Sequence, residues 1–254
     1  MITIDPDAGT VTVTDERGRR TLTLDDPEAF ELVSRVWLRA GWDVKHVYSF
    51  TWLGRPIIQL PEDLVRLQEL VFTLQPDVIV ETGVARGGGV IFYASLCKLL
   101  GRGRVVGIDV DVRPDSRAAI EAHPLASYVT LIEGGSTEPH VLAQVRARIG
   151  PADRVFVVLD SNHAKEHVLA ELDAYAPLVS PGSYIIAMDG IMGDLAGAPR
   201  SRPDWAWNNP REAAIEFVAK HPEFVIEPPA FLFNEGRVRT AVTYAAGGYI
   251  KRLR

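Results

Sequence analysis

Five short segments of this chain are apolar almost from end to end, and each is separated from the next by one helical stretch. They are Val78-Ile79-Val80, Val105-Val106-Gly107-Ile108, Tyr128-Val129-Thr130-Leu131-Ile132, Val155-Phe156-Val157-Val158-Leu159 and Tyr184-Ile185-Ile186-Ala187-Met188. An alternating strand faces water on one side, whereas a wholly apolar strand must be covered on both, and single-helix connections make neighbouring strands parallel. The segments between them read as helices over residues 87–100, 116–122, 139–148 and 164–176, preceded by a helix opening at Pro61 that aligns Leu64, Leu67, Leu70 and Val71 on one face. These features predict an α/β fold in which a mostly parallel sheet is flanked by helices.

The chain before this region has a different rhythm. Thr10-Val11-Thr12-Val13-Thr14 and Thr21-Leu22-Thr23-Leu24 alternate at period two around Asp15-Glu16-Arg17-Gly18-Arg19, the pattern of a β-hairpin. Asp25-Asp26-Pro27-Glu28 supplies a cap and a first-turn proline for a helix reaching about Ala40. Residues 1–44 are accordingly expected to form a hairpin and helix extension, and residues 45–254 the main domain. Beyond the fifth strand, residues 190–209 lose all periodicity. A helix over 210–220 and two strands, Phe224-Ile226 and Thr240-Tyr244, are expected to follow.

Composition narrows the function. The chain is 47% hydrophobic with a net charge of −6, which supports a sizeable core and argues against a nucleic-acid partner. Cys97, the one cysteine, lies in an apolar run and is expected to be buried and inert. Met1-Ile2-Thr3-Ile4-Asp5-Pro6 lacks the pattern of a signal peptide and no uncharged run reaches the length of a membrane span, so a cytoplasmic location is expected, with no membrane partner.

Glu81-Thr82-Gly83-Val84-Ala85-Arg86-Gly87 follows the first core strand and opens a helix. Ala85 departs from the Gly-x-Gly-x-x-Gly dinucleotide fingerprint, and no Lys-Ser/Thr pair makes a P-loop. The turn matches instead an S-adenosylmethionine site, with Glu81 orienting the amino acid moiety and Gly83, Ala85, Arg86 and Gly87 lying against the ligand. Asp109, at the end of the second strand, is placed to accept the ribose hydroxyls, with Asp111 the fallback and a helix cap or an Arg113 ion pair as the structural alternative. Ser136 fits either an adenine contact or a cap on the next helix. Asp160 and Asp189 end the fourth and fifth strands, a pair suited to a hard divalent ion such as Mg²⁺, and Asp160 has the alternative role of a helix N-terminal carboxylate. His163 is the candidate general base for a hydroxyl acceptor. His167, Trp205 and Trp207 are candidate substrate contacts, each with a structural alternative, and Arg200 and Arg202 are candidate anchors for a charged group.

These motifs are similar to those of the cephalosporin hydroxylase family. The resemblance rests on Ser49-Phe50-Thr51-Trp52-Leu53-Gly54-Arg55-Pro56, residues 81–88 and 107–114, Leu159-Asp160-Ser161-Asn162-His163, and Gly248-Tyr249-Ile250-Lys251-Arg252, and it extends from about Lys45 to the C-terminus. Despite its name that family has the class I methyltransferase fold and resembles macrocin-type and rhamnosyl O-methyltransferases. The resemblance implies S-adenosylmethionine at Glu81, Gly83 and Asp109, a divalent metal near Asp160 and Asp189, and a homo-oligomer. It points to methylation of a sugar hydroxyl on a glycosylated natural product, in antibiotic biosynthesis. The alternatives are an oxygenase or oxygenase partner in β-lactam modification and a non-catalytic cofactor-binding subunit. Relatives often carry adjacent acidic residues at the end of the fifth strand, whereas Asp189 here is flanked by Met188 and Gly190.

Overall fold

The computed structural model describes all 254 residues and divides into two compact units. The smaller comprises Met1–His46, Ala198–Arg200 and Ala230–Val242. Its expected hairpin is present as β2 (Thr10–Asp15) and β3 (Gly18–Thr23), and a strand not anticipated from the pattern, β1 (Ile2–Asp5), pairs antiparallel with β2. Val11 and Val13 are buried while the flanking threonines stay more accessible, which is the period-two signal realised. Helix α1 (Pro27–Asp43) starts as expected: the Asp26 side chain accepts the Glu28 N–H and Pro27 occupies the first turn. Arg237 bonds Asp25, and the Thr240 hydroxyl donates to Glu31 at 2.9 Å.

The larger unit, Val47–Gly197, Ser201–Pro229 and Thr243–Arg254, opens with a small hairpin, β4 (Phe50–Trp52) and β5 (Arg55–Ile57). The alternation then runs α2 (Pro61–Leu74), β6 (Val78–Thr82), α3 (Gly88–Leu100), β7 (Arg104–Asp109), α4 (Pro114–Glu121), β8 (Val129–Glu133), α5 (Pro139–Arg146), β9 (Val155–Leu159), α6 (Lys165–Tyr175), β10 (Tyr184–Ala187), α7 (Pro210–Lys220), β11 (Phe224–Ile226) and β12 (Tyr249–Arg252). The sheet order is β11-β12-β10-β9-β6-β7-β8. Strands β8, β7, β6, β9 and β10 pair in parallel, and β12 inserts antiparallel between β10 and β11.

The apolar runs conceal a strict alternation. Ile79, Phe156, Val158 and Ile186 pack into one core with α2 and α3, while Val78, Val80, Val155, Val157 and Ile185 pack into a second with α5, α6 and α7. A sheet with a core on each face needs apolar residues at every position, so the segments read as continuous. The chain order reverses between β6 and β9, and ligands of such sheets bind beyond the carboxyl ends of the strands at that point. Register makes those ends level: Thr82 pairs with both Ile108 and Leu159, and Leu159 with Ala187.

One expected strand is corrected. Thr240–Tyr244 forms none, and the partner of β11 is Tyr249–Arg252. The polar groups near 243 are taken by Asp63 of α2, whose carboxylate accepts the Thr243 hydroxyl and the Tyr244 N–H. Asp63 is fully buried, and burial raises its pKa to about 7, against the lowering effect of these two bonds; the charges of Asp189 and Glu62 add to the rise. A carboxyl whose folded pKa lies above its unfolded value of 3.8 contributes stability that is complete below about pH 4 and lost as pH rises through 7. Such a shift corresponds to roughly 4 kcal/mol. Urea denaturation between pH 5 and pH 8 is therefore expected to show stability falling with pH, and Asp63→Asn is expected to flatten part of that slope.

Candidate functional site

Four strand-end segments converge on the switch point. After β6 the chain turns at Gly83, whose φ is +91° and whose N–H donates to the Ile108 carbonyl at 2.7 Å. A Cβ on Gly83 would overlap the carbonyl of Asp160, so the turn after β6 and the end of β9 touch backbone to backbone. The Asp160 N–H donates to the Thr82 carbonyl at 2.9 Å and completes that contact. Asp109 reaches back from β7: one carboxylate oxygen accepts the Ala85 N–H at 2.9 Å and the other the Asp111 N–H at 3.2 Å. No Asp109–Arg113 ion pair forms.

Glu81 is the most constrained of these acids. It is 3% exposed, one of its oxygens has no hydrogen-bond partner in the protein, and a Cβ on Gly89 would lie against its carboxylate. Burial, with the negative charge of Asp109 adding to it, raises its pKa to about 8. A buried carboxylate without a donor is costly unless a ligand supplies one. An open cleft of about 290 Å³ adjoins it, lined by Pro56, Gln59, Glu81, Gly83, Ala85 and Asp160 among others. Arg86 points its guanidinium at Asp115, 3.0 Å away, and its carbonyl is clamped by Arg55 at 2.6 and 3.0 Å.

On the other side of the switch point, Asp160, His163 and Asp189 bring one donor atom each to within 4.8 Å of one another. His163 Nε2 lies 3.3 Å from Asp189 Oδ2. Asp189 sits in the left-handed region at φ +59°, and Gly190 beside it has no room for a Cβ because the Ala246 carbonyl lies there. Burial and the neighbouring carboxylates of Asp189 and Glu81 push the Asp160 carboxyl well above its usual range; burial also raises Asp189, and His163 opposes that rise. Two carboxylates and an imidazole at this spacing fit a divalent cation. Met188, 1% exposed, packs in the core and adds no ligand. The set holds one imidazole, so the two-histidine, one-carboxylate triad of iron oxygenases is not assembled here.

Several alternatives are settled by position. The cap residue of α5 is Glu138, so Ser136 does not cap that helix. Ser136 and His167 meet at 3.4 Å, and His167 Nε2 also lies 3.2 Å from Ser161 Oγ and 3.4 Å from the buried carboxylate of Glu171. The hydrogen bond to Glu171 raises the His167 pKa. His167 therefore belongs beside Ser136 and Ser161. Trp205 and Trp207 do not line the cleft; Trp207 is 63% exposed, and its neighbour Asn208 accepts the Lys165 N–H at the start of α6. Arg200, a candidate anchor, instead donates to the Trp42 carbonyl at 2.7 Å. Cys97 is buried, and burial pushes its thiol up to about 11, consistent with an inert side chain. Sequence reasoning missed Gln59, Arg55 and Glu171 as site residues: Gln59 and Arg55 act on residues distant in sequence, and Glu171 acts from a buried position one helical turn beyond His167.

The strand order with its single antiparallel insertion, and the cleft at its switch point, define a class I methyltransferase fold. An apo structure of CmcI superposes with a TM-score of 0.58 at 21% identity, covering 82% of this chain and 77% of that one. A CmcI structure with Mg and SAM gives 0.56 at 19%, covering 82% and 78%. Residues 44–253 match the family described as rhamnosyl O-methyltransferase/CmcI, and the chain belongs to that family. Among curated relatives, a rhamnosyl O-methyltransferase of Mycobacterium leprae is 28% identical over 152 residues, 59% of this chain and 64% of that protein. Another, from Mycobacterium tuberculosis (strain ATCC 25618 / H37Rv), is 30% identical over 142 residues, 55% of this chain and 56% of that protein. The chain thus spans less than two thirds of the length of these relatives. No helix is long and apolar enough to cross a membrane.

The Glu81–Gly89 contact yields a direct test. Gly89→Ala is expected to displace the carboxylate and weaken S-adenosylhomocysteine binding by roughly 10- to 150-fold, the equivalent of one charge-assisted hydrogen bond. Calorimetric titration, with circular dichroism to confirm that the fold is retained, measures it.

Proposed function

We propose that the protein is an S-adenosylmethionine-dependent O-methyltransferase acting on a sugar hydroxyl, with a deoxysugar of the rhamnose type on a glycosylated natural product as its acceptor. The observation that carries this reading is the Glu81 carboxylate, with one oxygen unpartnered, on a cleft whose wall includes Asp160 of the Asp160–His163–Asp189 group. The names of the curated relatives support the acceptor class. A role in antibiotic biosynthesis, a cytoplasmic location and a homo-oligomeric state are further parts of the proposal and rest on the family resemblance and the sequence.

In this reading Glu81 receives the cofactor's ammonium group and Asp109 its ribose hydroxyls. Gly83, Ala85, Arg86 and Gly87 present backbone to the ligand, while Ser136 and His167 meet the adenine. Bound there, the sulfonium supplies an electrophilic methyl group. With Nε2 turned to Asp189, the Nδ1 nitrogen of His163 is the one left to accept the acceptor's hydroxyl proton. The bound cofactor would give its methyl group to that oxygen and leave as a neutral thioether. Asp189 stabilises the imidazolium that results. Asp160 and Asp189 would hold a divalent cation, which lowers the pKa of a bound hydroxyl. Trp207 offers an exposed face for the sugar or aglycone, and Trp205 supports the turn that carries it.

Two outcomes test the assignment. His163→Ala is expected to keep S-adenosylhomocysteine affinity and lose about 10²–10⁴-fold in turnover on a rhamnoside, read by methyl transfer; a near-wild-type rate removes the base. Because Glu81 must be charged to hold the ammonium, and its pKa in the protein alone is about 8, cofactor affinity is expected to rise from pH 6 to pH 8 with proton release on binding. Calorimetry in buffers of different ionisation enthalpy checks this, and Glu81→Gln is expected to abolish the pH dependence.

A further inference from the structure

Gln59 lies between β5 and α2, in a segment that carries none of the acidic or imidazole groups of the site. Its side-chain amide donates to Asp160 Oδ2 at 2.6 Å, across 101 positions of sequence. Gln59 is also part of the cleft wall. Its backbone is held firmly, because the adjoining Ile57 and Leu60 are 2% and 1% exposed, and the Ile57 end of β5 packs so closely on the start of α3 that Gly88 there has no space for a Cβ.

The surroundings of Asp160 explain why the donor is an amide. A carboxylate oxygen of Asp189 lies within 4.8 Å of it, Glu81 lines the same cleft, and Gln59 is the donor set on it. A lysine or arginine in this place would neutralise the carboxylate and repel any cation in the cleft. A glutamate would add another negative charge to an acidic group of side chains. The amide binds one oxygen without altering the charge and leaves Oδ1 as the oxygen open to a ligand.

We infer that Gln59 is a positioning residue that fixes the Asp160 carboxylate through Oδ2, so that Asp160 presents a single oxygen to a divalent cation shared with Asp189. This deepens the proposed function and rests on its metal reading. Outer-sphere partners that orient a ligand typically account for about 10- to 100-fold in metal affinity. The donor acts through one carboxylate, so its effect must vanish when that carboxylate is removed, whereas a general structural role adds to any other change.

The experiment is a double-mutant cycle on Gln59→Met and Asp160→Asn, reading Mn²⁺ affinity by electron paramagnetic resonance in the presence of S-adenosylhomocysteine, with thermal melting of all four proteins. Gln59→Met is expected to weaken Mn²⁺ binding by about 10- to 100-fold with little change in melting temperature, and to have no further effect in the Asp160→Asn background. Unchanged Mn²⁺ affinity, or equal losses in both backgrounds, overturns the inference. If the wild type itself takes up no Mn²⁺, the metal reading fails, and crystal structures of Gln59→Met decide the positioning role separately: a reoriented Asp160 carboxylate sustains it, and an unmoved one overturns it.

Discussion

The site depends on a contact in which no side chain takes part. The backbone at Gly83 lies against the Asp160 carbonyl, and the Asp160 N–H returns a hydrogen bond to Thr82. Only a residue without a Cβ, with φ positive, fits there. This contact brings the ends of β6 and β9 together at the point where the sheet order reverses. Because Thr82, Ile108, Leu159 and Ala187 stand level across four strands, the residues that follow them emerge at one edge. Glu81 and Asp160 share a cleft because of this register and this close approach, with Asp109 and Asp189 at the neighbouring strand ends.

Such a cleft is electrostatically expensive. The carboxyls of Glu81, Asp160 and Asp189 are raised by burial, with neighbouring acids adding to the rise at Glu81 and Asp160, and the protein offers them few donors: Gln59 on Asp160 and His163 beside Asp189. The rigid cores on both faces of the sheet hold these groups in place against their repulsion. An arrangement that is costly alone and relieved by positive charge is a receptor for cations, which unites the sulfonium and ammonium of the proposed cofactor with a divalent metal. The same logic extends to Asp63, buried under the segment that precedes β12 and within the influence of Asp189.

Much of this was legible in advance where the signal is local. The parallel strands were readable from unbroken apolar runs, because a sheet with two cores leaves no polar position. The helix starts at Pro27, Pro61 and Pro210 follow from proline's fixed φ. Where a segment's conformation depended on distant partners, local reading failed. Thr240–Tyr244 alternates like a strand, but Asp63 takes its polar groups near 243 and β12 forms further on. Strand β1 was missed because four exposed residues form a strand only by pairing with β2. The buried Glu171 holds His167 beside Ser136, a meeting of side chains 31 positions apart.

By itself, then, the sequence determined the kind of sheet, the turn after β6 and the acidic residues at the ends of four core strands, because each is a matter of one residue's conformational range or one segment's polarity. Tertiary structure alone decided that Glu81 has a bare oxygen, that Gln59 holds Asp160, and that Arg200 is engaged elsewhere. Those outcomes depend on which atoms meet across a hundred residues, and no local pattern encodes a distance.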